Sequence, residues 1–126
     1  MTLAVLEGVA FALKDCVEAA KKGGANIEST RICGGGAKSP LWRKIIADVL
    51  GVPVEIPKVE EGPAYGGAIL AMTAYGAYPS LEAAVSATTS VKETVLPDKR
   101  IVEHYKHRYE VYKELYPALK GVFAKM

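Results

Sequence analysis

The sequence predicts an α/β fold, a short sheet flanked by helices, in a single domain of 126 residues. Three observations predict it. A strand-like run, Ile27 to Cys33, ends at three glycines. Ser39-Pro40 then opens a helix with an apolar stripe, and a second strand-like run, Val52 to Ile56, follows that helix. A helix set between two short apolar strands is the pattern of an α/β layer. With 50% hydrophobic and 24% charged residues, the composition is that of an ordinary globular chain. Such a chain is long enough to bury a core without disulfide or metal staples.

Each element has its own signal. Residues 2–22 are expected to be helical, with Thr2 as cap and Gly23-Gly24 as stop. Lys21 and Lys22 suit the negative C-terminal end. Leu6, Val9, Ala10, Leu13, Val17 and Ala20 share one stripe, and Val5, Phe11 and Ala12 widen it, so a neighbour must cover more than one side. Ser39 accepts an orphan N–H at the next helix start, and Pro40 fits a first position that needs no donor. Trp42, Ile45, Ile46, Val49 and Leu50 form that helix's stripe, and Gly51 closes it. Gly62-Pro63 precedes a helix over 64–75. Its Gly66, Gly67, Ala68, Ala71 and Ala74 form a thin face suited to close packing. A short helix over 80–88 capped by Ser80 and an extended run over 91–97 follow. A last helix over 98–116 is expected to be kinked or divided by Pro117. Tyr105, Tyr109, Tyr112, Tyr116, Leu119 and Phe123 recur along it at core-like spacing.

Charge and cysteine usage exclude several functions. Sixteen basic and 14 acidic residues give +2, too little for nucleic acid or an anionic membrane as the main partner. Residues 99–126 hold seven basic and three acidic side chains, which concentrates +4 in the tail. No apolar run reaches the roughly 18–20 residues of a membrane span. The apolar start lacks a basic n-region and is interrupted by Glu7, Asp15 and Glu18, unlike a signal peptide. Cys16 and Cys33 have no metal-ligand spacing, and two thiols without an export signal point to the cytoplasm.

Chemistry-bearing patterns are few. The run CGGGAKSPLW, residues 33–42, passes from a strand through Gly34-Gly35-Gly36 into a helix N-terminus. Missing Cβ atoms admit a ligand to the backbone, and a helix start offers free N–H groups, so this is either a ligand loop or a structural turn. It is not a Walker A loop, which needs glycine where this chain has Ala37 and Ile32. Glu60-Glu61-Gly62-Pro63 reads either as a ligand contact beside that loop or, the preferred reading, as an acidic surface loop and helix start. His104 and His107 lie three apart with no supporting acid or cysteine cluster and read as solvated. No nucleophile–base pair, paired carboxylate or metal set emerges.

The runs LEGVAFAL, RICGGGAKSPLWRKIIADVLGVPVEIP and EGPAYGGAILA, with the Tyr-rich tail, resemble the C-terminal domain of the FGGY carbohydrate kinases from about residue 3 to residue 120. The resemblance implies a partial ribonuclease-H-like, actin-like ATPase lobe. Residues 1–126 would be the C-terminal part of a kinase whose N-terminal lobe is absent. In that family ATP lies between two lobes, and Mg²⁺ offsets its phosphate charge. The resemblance places Gly35 and Gly36 in the adenine-nucleotide site, beside Gly34, with Ser39 or Pro40 at the next contact. Glu7 and Gly8 match the helix of a family signature, whereas Leu3 stands where a basic residue is common. The sugar would bind through the missing lobe, which would also hold the general-base aspartate. Asp15, Asp48 and Asp98 match no such motif, so no catalytic residue is assigned.

Two other readings belong to different classes. One is a stand-alone interaction module that grips a partner through its Tyr/Lys-rich C-terminal helix. The other is a small non-kinase binder of a phosphorylated ligand. A homo-oligomer paired through the surface a second lobe would cover is a further expectation of the truncated reading.

Overall fold

The structure, a computed structural model, describes residues 1–59 and 62–126. Its elements run α1 (Thr2–Lys22), β1 (Thr30–Arg31), a 3-10 turn (Gly35–Lys38), α2 (Pro40–Leu50) and β2 (Val54–Pro57). Then come α3 (Pro63–Ala74), α4 (Leu81–Thr88), β3 (Val91–Val95) and α5 (Lys99–Phe123). The sheet has the order β1-β2-β3. β1 pairs parallel with β2, Thr30 opposite Val54, and β2 pairs antiparallel with β3, Val54 opposite Val95. The α/β class expected from the strand–turn–helix–strand run is therefore what forms.

α2 is the centre of the molecule because it is apolar on two sides. Ile45 and Val49 enter a helical core with Ala10 and Phe11 of α1 and Tyr105 and Tyr109 of α5. Ile46, Ala47 and Leu50 enter a second core with Val52, Val54 and Ile56 of the sheet. Trp42 packs against both. Its ends are set locally. The Ser39 hydroxyl accepts from the Trp42 N–H at 3.3 Å, Pro40 takes the first position, and Gly51 turns left-handed at φ 72°. Only a residue without Cβ takes that φ cheaply.

Several expectations change on contact with the fold. Thr2 lies inside α1 and caps nothing. The strand expected over 27–33 shrinks to Thr30–Arg31, since β2 is its one hydrogen-bonded neighbour among the described residues. β2 begins at Val54 rather than Val52, because Pro53 brings no N–H to a ladder. Pro117 neither ends nor divides α5, which continues to Phe123. The α1 stripe is rotated from expectation. Glu7, Ala10, Phe11 and Lys14 are buried, while Val5, Val9 and Leu13 are exposed. The small-residue face of α3 is not covered by the described residues. Gly66, Gly67, Ala68, Ala71 and Ala74 are all exposed.

Charges inside the core are all matched. Lys14 Nζ donates to the Val49 carbonyl at 2.9 Å, joining α1 to α2. Glu7 accepts from the Tyr105 hydroxyl at 2.9 Å and pairs with Arg108 at 3.0 Å, joining α1 to α5. Asp48 accepts from Lys44 Nζ and from the Asp98 N–H, each at 2.7 Å. A buried charge left alone would cost several kcal/mol, on the order of 3–5 when one partner is removed, which is why each has partners.

Candidate functional site at the glycine turn

β1 delivers the chain to Cys33, and the next seven residues turn it into α2. Gly34 has φ 85°, which reverses the backbone out of the strand. Two bonds then tighten the turn: the Ala37 N–H to the Gly34 carbonyl and the Ser39 N–H to the Gly36 carbonyl, each 3.1 Å. Gly34, Gly35, Gly36, Ser39 and Pro40 are all exposed, and Ala37 alone points inward. All five candidate residues thus lie within one short exposed stretch of chain.

The three glycines have different causes. Gly34 is required by its positive φ. Gly36 is favoured by packing, because an added Cβ would stand 3.1 Å from the Trp42 ring, which would have to give by a few tenths of an ångström. Gly35 is required by neither. Its φ is ordinary, and a Cβ there would meet nothing within 4 Å. Among the described residues nothing accounts for the missing side chain at Gly35.

The helix start has less to give an anion than its pattern promised. Pro40 has no N–H, the Trp42 N–H goes to Ser39 Oγ, and the Arg43 N–H goes to the Ser39 carbonyl. The dipole of α2 remains, but its donors are largely used. What the turn offers is bare peptide surface, which suits the face of a base or sugar ring better than a phosphate group. Behind it lies a cavity of about 550 Å³, lined by Cys33, Gly36, Trp42 and Ile46 among others. Gly62, at the start of α3, abuts the same place: a Cβ there would stand 3.1 Å from Cys33 Sγ. Glu60 and Glu61 lie outside the described residues.

The remaining titratable groups are occupied elsewhere. Asp15 accepts from the Tyr109 hydroxyl, Asp48 holds Lys44 and the Asp98 N–H, and Asp98 caps α5 at the Arg100 and Ile101 N–H groups. None is placed as a general base. His104 and His107 are exposed on α5. Among the described residues no three His, Cys, Asp or Glu side chains gather to hold a metal. No helix among them is long and apolar enough to cross a membrane. Burial pushes the Tyr105 phenol up to about 12, helped by its bond to Glu7. Burial and the bond to Asp15 push the Tyr109 phenol upward too. Lys14 is held below 10.5, chiefly by burial. These groups sit in the α1–α5 interface, not at the turn. Sequence reasoning missed the burial of Glu7 and Lys14. Their i, i+7 spacing, with Ala10 and Phe11 between, was the available signal.

Residues 1–75 match the C-terminal domain of the FGGY family of carbohydrate kinases. A xylulose kinase of Staphylococcus epidermidis is 34% identical over 123 residues, 98% of this chain and 25% of that protein. An L-xylulose/3-keto-L-gulonate kinase of Escherichia coli is 31% identical over 98% of this chain and 25% of its own length. The crystal structure of a ligand-bound xylulose kinase from Lactobacillus acidophilus superposes with a TM-score of 0.88 at 24% identity, over 97% of this chain and 25% of that one. The crystal structure of a xyloylose kinase from Brucella ovis superposes with a TM-score of 0.82 at 37% identity, over 96% of this chain and 25% of that one, so the fold is that of part of a sugar kinase of the actin-like ATPase fold, as the sequence resemblance implied. The chain spans about a quarter of the length of the curated relatives it matches.

Proposed function

The chain belongs to the FGGY family of carbohydrate kinases, and we propose that it forms the adenine-nucleotide side of a xylulose kinase. The parent reaction would pass the γ-phosphoryl group of ATP to a hydroxyl of D-xylulose, giving D-xylulose 5-phosphate. Such a transfer needs positioning, neutralisation of phosphate charge, and a carboxylate to take the hydroxyl proton. This chain's share is the first of these. Gly34, Gly35 and Gly36 would lie against the nucleoside, with Ser39 or Pro40 at its border.

One observation carries the reading: Gly35 lacks a side chain where neither backbone conformation nor packing forbids one. The use of the helix donors within the turn agrees, since it favours a nucleoside over a phosphate as the contact. The described residues do not fit Mg²⁺, because Asp15, Asp48 and Asp98 are each engaged and stand apart from the turn. No step is assigned to the metal here. Nor does this chain supply the sugar's general base, so by itself it is expected to phosphorylate nothing. We infer a cytoplasmic working enzyme, a reading that dependence on ATP would support. The relatives named for xylulose and for L-xylulose or 3-keto-L-gulonate agree with a ketose or closely related acceptor chosen by other parts of the enzyme.

The test is titration of the isotope-labelled chain with ATP. Amide shifts should centre on residues 34–39, and Gly35→Leu should remove them while leaving the unfolding midpoint where it was. Shifts that survive in a folded Gly35→Leu chain would refute the nucleotide contact. Phosphorylation of xylulose by this chain alone would refute the division of labour.

A further inference from the structure

We propose that Arg43 is a positioning residue that sets the shape of the nucleotide turn from outside it, by tying Ala37 to Glu93 of β3. The proposal rests on the turn being the nucleotide contact. Arg43 lies in the first turn of α2, where the helix dipole disfavours a cation and where acidic residues are the usual choice. Its position therefore has another cause. The side chain is 15% exposed and folds back over the turn. Nε donates to the Ala37 carbonyl, and Nη1 donates to Glu93 Oε2 at 2.8 Å. The rigid planar fork of a guanidinium can hold two such acceptors at a fixed separation, which a lysine cannot.

The turn needs that constraint. Three successive glycines carry more backbone freedom than any other tripeptide, and an unconstrained turn would have to be ordered by the ligand at the expense of affinity. The Gly34 carbonyl accepts from the Ala37 N–H and the Gly36 carbonyl from the Ser39 N–H, each at 3.1 Å. Arg43 fixes the far side at Ala37. Because Glu93 neutralises it and both partners are within the chain, Arg43 is placed as a strut rather than as a binder of phosphate. The neighbouring Lys44 serves as an internal comparison. It also ties α2 to the chain leaving β3, through the Leu96 carbonyl at 3.2 Å and through Asp48, but touches no part of the turn.

The experiment compares Arg43→Met, Glu93→Gln and Lys44→Met in the 126-residue chain. Three quantities are read: amide exchange at Ala37 and Ser39, ATP affinity from amide shifts, and urea unfolding. Loss of a charge-assisted hydrogen bond predicts about tenfold faster exchange at Ala37 and Ser39 in Arg43→Met, and a loss of ATP affinity of about the same size. Glu93→Gln should move both in the same direction by less. Lys44→Met should lower the urea midpoint and leave the turn's exchange and ATP affinity at wild-type values. The proposal is overturned if Arg43→Met disturbs the turn no more than Lys44→Met does. Should Arg43→Met fail to fold, Arg43→Lys decides by the same exchange readout, since it keeps the charge and can reach only one of the two acceptors. If the wild-type chain shows no ATP shifts at all, the nucleotide reading fails, while exchange at Ala37 and Ser39 still judges the strut.

Discussion

Tyr105 and Tyr109 are the residues whose protons report most directly on the core. Both phenols keep their protons above the ordinary 10.0, Tyr105 to about 12. Above pH 10 the unfolded chain therefore holds fewer phenolic protons than the folded one, and stability declines as pH rises through the folded value. Lys14 acts in the opposite sense. Held below 10.5 by burial, it adds stability as pH rises toward 10.5 and nothing beyond. Urea unfolding followed from about pH 9 to about pH 12 should thus show a loss that steepens once Lys14 is spent. Tyr105→Phe should be less stable than wild type at the lower end, having lost its bond to Glu7, and should decline less steeply with pH. A variant that declines as steeply as wild type would show that the phenol titrates as if exposed. The tyrosine spacing made this core legible in the sequence. The partners of the phenols were not, since Glu7 lies 98 positions from Tyr105 and Asp15 lies 94 from Tyr109.

At the scale of elements, α2 was readable almost to the residue, because its boundaries are made by its own side chains. Ser39, Pro40 and Gly51 act through bonds that reach no further than four residues. Ser39→Ala should cost about 1 kcal/mol of stability, the usual effect of losing a helix cap. Thermal unfolding would check this, and an unchanged midpoint would show that the Ser39 hydroxyl is not the cap. The limits of β1 and the buried face of α1 were less readable. A two-residue strand depends on how many neighbours it has, and a helix apolar around most of its circumference does not declare which side is covered. The chosen side of α1 is the one on which Glu7 and Lys14 find partners, so polar satisfaction decided between faces of similar hydrophobicity. Pro117 was expected to break α5. Its flanking residues are all exposed, so the carbonyl it leaves without a helix donor remains open to water, and the cost is tolerable.

For the whole molecule, the tail separates the kinase reading from the interaction module. Tyr105 and Tyr109 are 7% exposed and pack with Phe11, Ile45 and Val49, whereas every residue from 113 to 126 is exposed. Deleting residues 99–126 should abolish cooperative unfolding, because it removes a wall of the helical core. Deleting only residues 117–126 should leave the midpoint within a few degrees, as expected for a change of less than about 1 kcal/mol. A folded, cooperative product of the longer deletion would restore the module. Sequence by itself determined the α/β class, the order of elements, the glycine turn and the family, since each is written in short-range spacing. Tertiary structure alone decided that nothing among the described residues explains the bare Gly35, that Arg43 bonds both Ala37 and Glu93, and that α1 buries Glu7 and Lys14. Those facts depend on which distant residues arrive beside each other, and a contact between positions 50 or 100 apart leaves no periodic trace in one chain.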